Sequence, residues 1–384
     1  MPGLADTLSR LSELRGRFAL PREQAGPDRL QDMDDFGLNP GALRARIYIP
    51  EKLPTNPALV VVLHGCTQTA AAYDRSAGWS HLADRDGFIV LFPEQRRANN
   101  PNLCFNWFVP QHNRRDQGEA LSIAQMIGTV KARHAVDSER VFVTGLSAGG
   151  AMTSVMLATY PELFGGGAII AGLPYGLASS VPQAFEVMRG QIMPGAENLG
   201  SRVLAASEHR GPWPKISIWH GAADHTVDVA NATAVLTQWQ QVHGITKRPV
   251  ASSTVSGFCR RVWHGKDGRD AIEEFIIPSM GHGVPLDATA PDGREVASSF
   301  MLDVGISSTQ EIARFWGLHD SGGPRWALQV VEPEPAPEPV PAIEAWQRPF
   351  RRSAAEDRGR PAPRAASGVQ KIIEDALRSA GLMK

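Results

Sequence analysis

The five residues Gly145-Leu146-Ser147-Ala148-Gly149 constrain this chain more than any other stretch, because they set a serine between two glycines directly after the β-prone run Arg140-Val141-Phe142-Val143-Thr144. Where a strand turns at once into a helix, a serine at the junction is forced into strained dihedrals and its Oγ stands exposed at the strand end, the arrangement called a nucleophile elbow. Such a turn needs glycine on both sides, since a side chain two positions from the serine would meet the neighbouring strand or the start of the helix. The helix is present: Gly150 to Thr159 is rich in small residues and methionine (Ala151, Met152, Val155, Met156, Leu157, Ala158), and Pro161 ends it. A Gly-rich turn between a buried strand and a helix is the alternative reading of the same residues. Partners elsewhere in the chain must decide.

The surrounding pattern is short apolar strands separated by helices: Ala42 to Ile49, Leu59 to Leu63, Phe88 to Phe92, Val141 to Thr144, Ala168 to Ala171, Ile216 to Trp219 and Glu273 to Ile277. Several are apolar throughout rather than alternating, as strands of a mostly parallel sheet are when helices cover both faces. Residues 40–320 therefore read as one α/β domain, closed by a helix that starts at the capping box Ser308-Thr309-Gln310-Glu311 and runs to about Trp316. Before it, residues 1–39 form a lead-in whose Leu4, Leu8, Leu11, Leu14 and Phe18 are spaced as an amphipathic helix. After it, residues 321–366 hold a Pro- and Glu-rich linker, Glu332 to Pro341, and an arginine-rich stretch, and residues 367–384 place Val369, Ile372, Ile373, Ala376 and Leu377 on one face of a short helix. The tail is read either as disordered or as a tether to a granule or protein partner.

A net charge of −1 over 384 residues gives no general attraction to nucleic acid or to an anionic membrane. No stretch approaches the length of a membrane span. Met1 to Leu20 lacks the uninterrupted apolar core of a secretory signal, which favours a cytoplasmic location. Three cysteines, Cys66, Cys104 and Cys259, are too scattered for a zinc site and allow one bridge with a thiol left over.

A serine hydroxyl is a weak nucleophile at neutral pH and needs a histidine to take its proton and an acid to orient that histidine. Trp219-His220-Gly221-Ala222-Ala223-Asp224 leaves an apolar strand and drops an aspartate into the loop at its carboxyl end. Asp224 is the chosen acid; Asp228 competes, but it borders a helix start, where a carboxylate serves as a cap. His282 follows the strand ending at Ile277, within Met280-Gly281-His282-Gly283. His64 and His220 read as structural hydrogen-bonding groups, His225 and His264 as surface residues. An oxyanion needs two preorganised N–H donors, one from the residue after the nucleophile and one from the loop after an early strand. Ala148 supplies the first, and Cys66, in Leu63-His64-Gly65-Cys66-Thr67-Gln68, the second; a catalytic or a bridged thiol is the other reading of Cys66. No cofactor or metal is required. The order serine, aspartate, histidine, each at a strand end, is that of the α/β-hydrolase fold.

Leu63-His64-Gly65-Cys66-Thr67-Gln68, Gly78-Trp79, Phe92-Pro93-Glu94-Gln95, Cys104-Phe105-Asn106-Trp107-Phe108, the elbow, His220 to Asp224, Gly281 to Pro285 and Val304 to Thr309 together resemble the poly(3-hydroxybutyrate) depolymerase family of esterases, over roughly residues 40–318. That family is similar to feruloyl and acetylxylan esterases, and many of its members are secreted. The resemblance implies Ser147, Asp224 and His282 as a triad, the amides of Cys66 and Ala148 as oxyanion hole, and as substrate a hydroxyalkanoate polymer or oligomer, or an acylated polysaccharide. Trp107, Tyr175 and Trp213 are candidates to contact it, alongside Trp79, Phe185, Val187, Met188 and Met193; core packing explains each of them equally well.

Overall fold

The computed structural model describes residues 27–191, 198–245, 248–290 and 294–319. The amphipathic helices expected near both ends, the Pro-rich linker and Met193 lie outside the described residues. Among these residues a ten-stranded sheet runs in the order β1-β2-β4-β3-β5-β6-β7-β10-β9-β8, built from β1 (Gln31–Asp32), β2 (Arg44–Tyr48), β3 (Ala58–Leu63), β4 (Phe88–Glu94), β5 (Val141–Leu146), β6 (Gly166–Ile170), β7 (Lys215–Gly221), β8 (Ala251–Val255), β9 (Phe258–His264) and β10 (Asp270–Ile277). The central strands β4, β3, β5, β6, β7 and β10 are mutually parallel. Antiparallel strands close both edges: β2 and β1 on one side, β9 and β8 on the other.

Strand β3 shows why the chain folds this way. Leu59, Val61 and Leu63 enter one apolar core while Ala58, Val60 and Val62 enter a second, so the two-residue period of the strand feeds both faces and every position is apolar. On the first face lie α3 (Gly118–His134), α4 (Ala148–Thr159), α6 (Leu199–Leu204) and α7 (Ala230–His243). On the second lie α1 (Ala70–Ala77), α2 (Trp79–Asp86) and α8 (Ser308–Trp316). Helix α4 is buried along its whole length, which accounts for its small and apolar composition. A further short helix, α5 (Val181–Met188), a 3-10 turn (Pro161–Leu163) and a small parallel pair, β11 (Val284–Leu286) with β12 (Met301–Asp303), complete the described elements.

The sequence pattern missed β8 as a strand of this sheet, because Ala-Ser-Ser-Thr-Val is polar and largely exposed, as an edge strand should be. The cap of α8 is one residue earlier than the capping box suggests. Ser307 Oγ accepts from Gln310 N at 3.1 Å, and Ser308 Oγ instead donates to Pro285 O at 2.9 Å, tying the helix start to β11. No helix among the described residues is long and apolar enough to cross a membrane.

Candidate active site

Strand β5 ends at Leu146 and α4 begins at Ala148, which leaves Ser147 at the junction with φ 58° and ψ −117°. A side chain with a Cβ rarely holds a positive φ, and the surroundings fix it here. The Ser147 N–H donates to Ile170 O in β6 at 2.9 Å, and its carbonyl accepts from Ala151 N at 2.8 Å. A Cβ on Gly149 would stand 2.2 Å from Leu63 O and 2.5 Å from His64 O, and one on Gly145 would stand 2.5 Å from the Gly149 backbone. Both glycines are therefore demanded by close backbone approach, one against the end of β3 and the other against the start of the helix.

Asp224 and His282 meet beyond the carboxyl ends of β7 and β10, neighbouring parallel strands. Gly221 permits this: a Cβ there would lie 2.2 Å from Met280 O and 2.5 Å from Gly281 O, so only glycine lets the histidine loop fold over the aspartate loop. Ala222 N and Ala223 N then donate to Ile277 O and Met280 O, at 2.9 and 3.0 Å. His282 Nδ1–H donates to Asp224 Oδ2 at 2.7 Å, while Thr226 N and Val227 N donate to Oδ1 at 2.8 and 2.9 Å. Burial alone would raise the Asp224 pKa, but hydrogen bonds and charge from His220 and His282 outweigh it and hold the carboxyl well below the ordinary 3.8. With a carboxylate fixed on Nδ1–H, Nε2 is the imidazole nitrogen left to accept a proton.

The other candidates fall where their chemistry suggests. Asp228 Oδ1 accepts from Ala230 N, the first residue of α7, at 2.9 Å, while Val229 holds the cap position itself. His220 Nε2–H donates to Val227 O at 2.8 Å and lies 3.5 Å from Asp224 Oδ2, bracing the acid loop. Gln95 N–H donates to His64 Nε2 at 3.1 Å, so His64 carries its proton on Nδ1 and donates it to Gly65 O at 2.8 Å; burial lowers its pKa and keeps it neutral. His225 and His264 are exposed.

The loop after β3 lies against the elbow, its Gly65 facing Leu146. Gly65 N–H donates to Gln68 Oε1 at 2.9 Å, and Thr67 N–H donates to Asn102 O at 2.6 Å. Cys66 is bonded to Cys104 across a sequence separation of 38, so the catalytic-thiol reading of Cys66 falls away. Cys259 is the exposed thiol left over. Among the described residues neither the Cys66 nor the Ala148 amide has a protein acceptor. The Ala148 amide is at the N-terminus of α4, where unpaired N–H groups and the helix dipole favour negative charge. Among the described residues no three His, Cys, Asp or Glu side chains converge to hold a metal ion.

Of the three aromatic candidates the structure brings two to this edge of the sheet. Trp107 is on the loop that Cys104 bonds to Cys66, and its carbonyl accepts from Asn113 Nδ2 at 2.8 Å. Tyr175 follows the carboxyl end of β6, and its hydroxyl donates to Asn113 O at 3.3 Å. Trp213 is at the opposite edge, just before β7 begins, where it packs edge-on to Trp239 of α7. Trp79 stacks on Trp316 within the second core. No sequence signal points to Phe300, whose ring centroid is 6.1 Å from that of His282 and whose backbone holds φ 64°.

A family model described as esterase PHB depolymerase matches residues 43–257. The chain belongs to this family. The matched stretch of the PHB depolymerase family encloses the elbow and the Asp224 loop and ends before β10. As a member of it, this esterase is 45% identical over 291 residues to poly(3-hydroxyalkanoate) depolymerase C of Paucimonas lemoignei, covering 75% of this chain and 70% of that one. It is 32% identical over 278 residues to an acetylxylan esterase of Coprinopsis cinerea, covering 70% and 73%. Among solved structures, an acetyl xylan esterase from Aspergillus awamori is similar with a TM-score of 0.64 at 26% identity, covering 76% of this esterase and 99% of that chain. The fold is that of the α/β-hydrolases.

Proposed function

We propose that this esterase works through a covalent acyl-serine. Ser147 Oγ attacks the ester carbonyl, His282 Nε2 takes the hydroxyl proton, and Asp224 holds the imidazole through Nδ1–H. The carbonyl oxygen becomes an oxyanion received by the amides of Cys66 and Ala148. Collapse of the tetrahedral adduct breaks the ester bond, and the alcohol leaves with the proton from His282. Water, deprotonated by the same nitrogen, then attacks the acyl-serine and releases the acid. The observation that carries this reading is the 2.7 Å His282–Asp224 hydrogen bond at the same sheet edge as a serine held at φ 58°.

The substrate class we assign is short 3-hydroxyacyl esters, as oligomers or amorphous poly(3-hydroxybutyrate). The 45% identity to a relative named as a polyhydroxyalkanoate depolymerase supports it. Acetyl or feruloyl groups on polysaccharide are the second reading, favoured by the near-complete coverage of the Aspergillus awamori acetyl xylan esterase. Hydrolysis of p-nitrophenyl butyrate by Ser147→Ala tests the mechanism, with an expected loss of at least about 10³-fold in kcat; full retention would overturn it. Release of 3-hydroxybutyrate from its oligomers, measured beside release of acetate from acetylxylan and of ferulate from feruloylated arabinoxylan, decides between the two substrate classes.

A further inference from the structure

Glu119, the second residue of α3, is completely buried, yet no Lys or Arg among the described residues pairs with it. Its nearest ionisable neighbour is His112, with Nδ1 at 3.7 Å, and burial lowers the pKa of that imidazole. Three donors converge on the carboxylate: Gln95 Nε2 and Asn106 Nδ2 on Oε1, both at 2.7 Å, and Asn106 N on Oε2 at 2.8 Å. Burial drives the carboxyl up to about 7, against the pull of these bonds from Asn106 and Gln95. A buried acid without a counter-ion is costly to keep, and the proposed chemistry does not use it.

Both groups that it holds lead to Cys66. Gln95 donates through its backbone N–H to His64, two residues before Cys66, and through Nε2 to Cys104 O at 3.1 Å. Asn106 accepts from Asn100 Nδ2 at 3.2 Å, and Asn100 Oδ1 accepts from Asn102 N and Cys104 N, at 3.0 and 3.3 Å. That loop reaches the oxyanion loop twice, by the Cys104–Cys66 bond and by the Thr67 N–H to Asn102 O hydrogen bond. Cys66 is thus gripped from its amino side through His64 and from its carboxyl side through Thr67, and Glu119 bonds to Gln95, which holds His64, and to Asn106, which holds the Asn100 turn that reaches Thr67 through Asn102.

We infer that Glu119 is a positioning residue for ester hydrolysis, setting the place of the Cys66 amide through Gln95 and Asn106. This rests on the reading of that amide as an oxyanion donor. An oxyanion donor acts on the transition state rather than on substrate binding, so its displacement lowers kcat and leaves KM in place. A structural role alone would lower stability without that signature.

The test uses the full chain and its Glu119→Gln variant, in which an amide NH2 faces a donor that the carboxylate accepts. The expected result is a fall in kcat on p-nitrophenyl butyrate of about ten-fold or more, with KM within about two-fold. The inhibition constant of butylboronic acid, whose tetrahedral serine adduct places an oxygen at the oxyanion position, should rise by the same factor as kcat/KM falls. Glu273→Gln, which disturbs a buried carboxylate bonded to Arg260 and Ser217 at the far side of the sheet, should change neither quantity. If Glu119→Gln fails to fold, Asn106→Ala removes the Nδ2 bond to Glu119 together with the bond that Oδ1 accepts from Asn100, and is read in the same way. A folded variant with unchanged kcat and boronate affinity overturns the inference. If Ser147→Ala abolishes hydrolysis and boronate binding in the same assays, that failure belongs to the link from Glu119 to the Cys66 amide and leaves the serine mechanism standing; if Ser147→Ala retains both, the serine reading fails and this inference with it.

Discussion

At the scale of single residues, Asp224 combines burial with a negative charge, and its surroundings show how. Two backbone amides occupy Oδ1, and the imidazoles of His282 and His220 approach Oδ2 at 2.7 and 3.5 Å, so the charge is met on every side that water has left. Replacing it by asparagine puts an NH2 or a carbonyl oxygen where an ionised oxygen now accepts from Nδ1–H. Asp224→Asn should therefore lower kcat by about 10³ to 10⁴-fold while the fold survives, which steady-state kinetics with a circular dichroism control will read. The same carboxyl makes a pH prediction with a definite sign. Because its pKa is lowered from 3.8 in the folded protein, the unfolded chain takes up the proton first as pH falls. The stability it contributes is present above about pH 3.8 and is lost as pH falls below that. Thermal denaturation of wild type against Asp224→Asn should show the difference between them shrinking on acidification below pH 4, and a constant difference would count against the assignment of this charge.

At the scale of elements, the junctions carry the site, and glycine makes them. Gly149→Ala would drive a methyl group to 2.2 Å from Leu63 O, a contact with backbone that no rotamer can relieve. We expect a loss of more than about 3 kcal/mol in urea unfolding, or no folded protein, whereas Gly281→Ala, with nothing within 4 Å, should cost little by comparison. This also explains what could be read from the sequence. The elbow, the Asp224 loop and the His282 loop were legible because each is a local event, a strand end followed by a turn whose residue types are dictated within a few positions. The Glu119 arrangement was not legible: Gln95, Asn106 and Glu119 come from a strand end, a loop and a helix, and nothing in any one segment calls for the other two. Trp213 is a candidate from the segment that joins the strand after the elbow helix to the acid-bearing strand, but a residue just before a parallel strand lies at its amino end, and the Asp224 and His282 loops are at the carboxyl end. The Cys66–Cys104 bridge was left open by a count of three cysteines, because spacing alone does not say which of them meet in space.

At the scale of the molecule, a parallel sheet with both faces covered has only its strand ends available for chemistry, and binding sites of such sheets form outside the carboxyl ends. Here β3, β5, β7 and β10 deliver Cys66, Ser147, Asp224 and His282 to that one edge, while the opposite edge and both faces serve the two cores. The second core is closed by α8, whose Ile312, Ala313, Phe315 and Trp316 are buried, with Trp316 stacked on Phe142 of β5 at a centroid distance of 4.8 Å. Every group assigned to the reaction, and every helix among the described residues that backs the sheet, therefore precedes Gly317. A chain ending at His319 should fold and hydrolyse p-nitrophenyl butyrate within about two-fold of the full chain, since a domain that holds its own core folds without its appendages. Comparing the two chains on soluble ester and on amorphous poly(3-hydroxybutyrate) granules separates catalysis from delivery. Equal rates on both substrates would assign the whole activity to the sheet edge, a loss confined to granules would give residues 320–384 a tethering role, and a loss on the soluble ester would show that the tail completes the site.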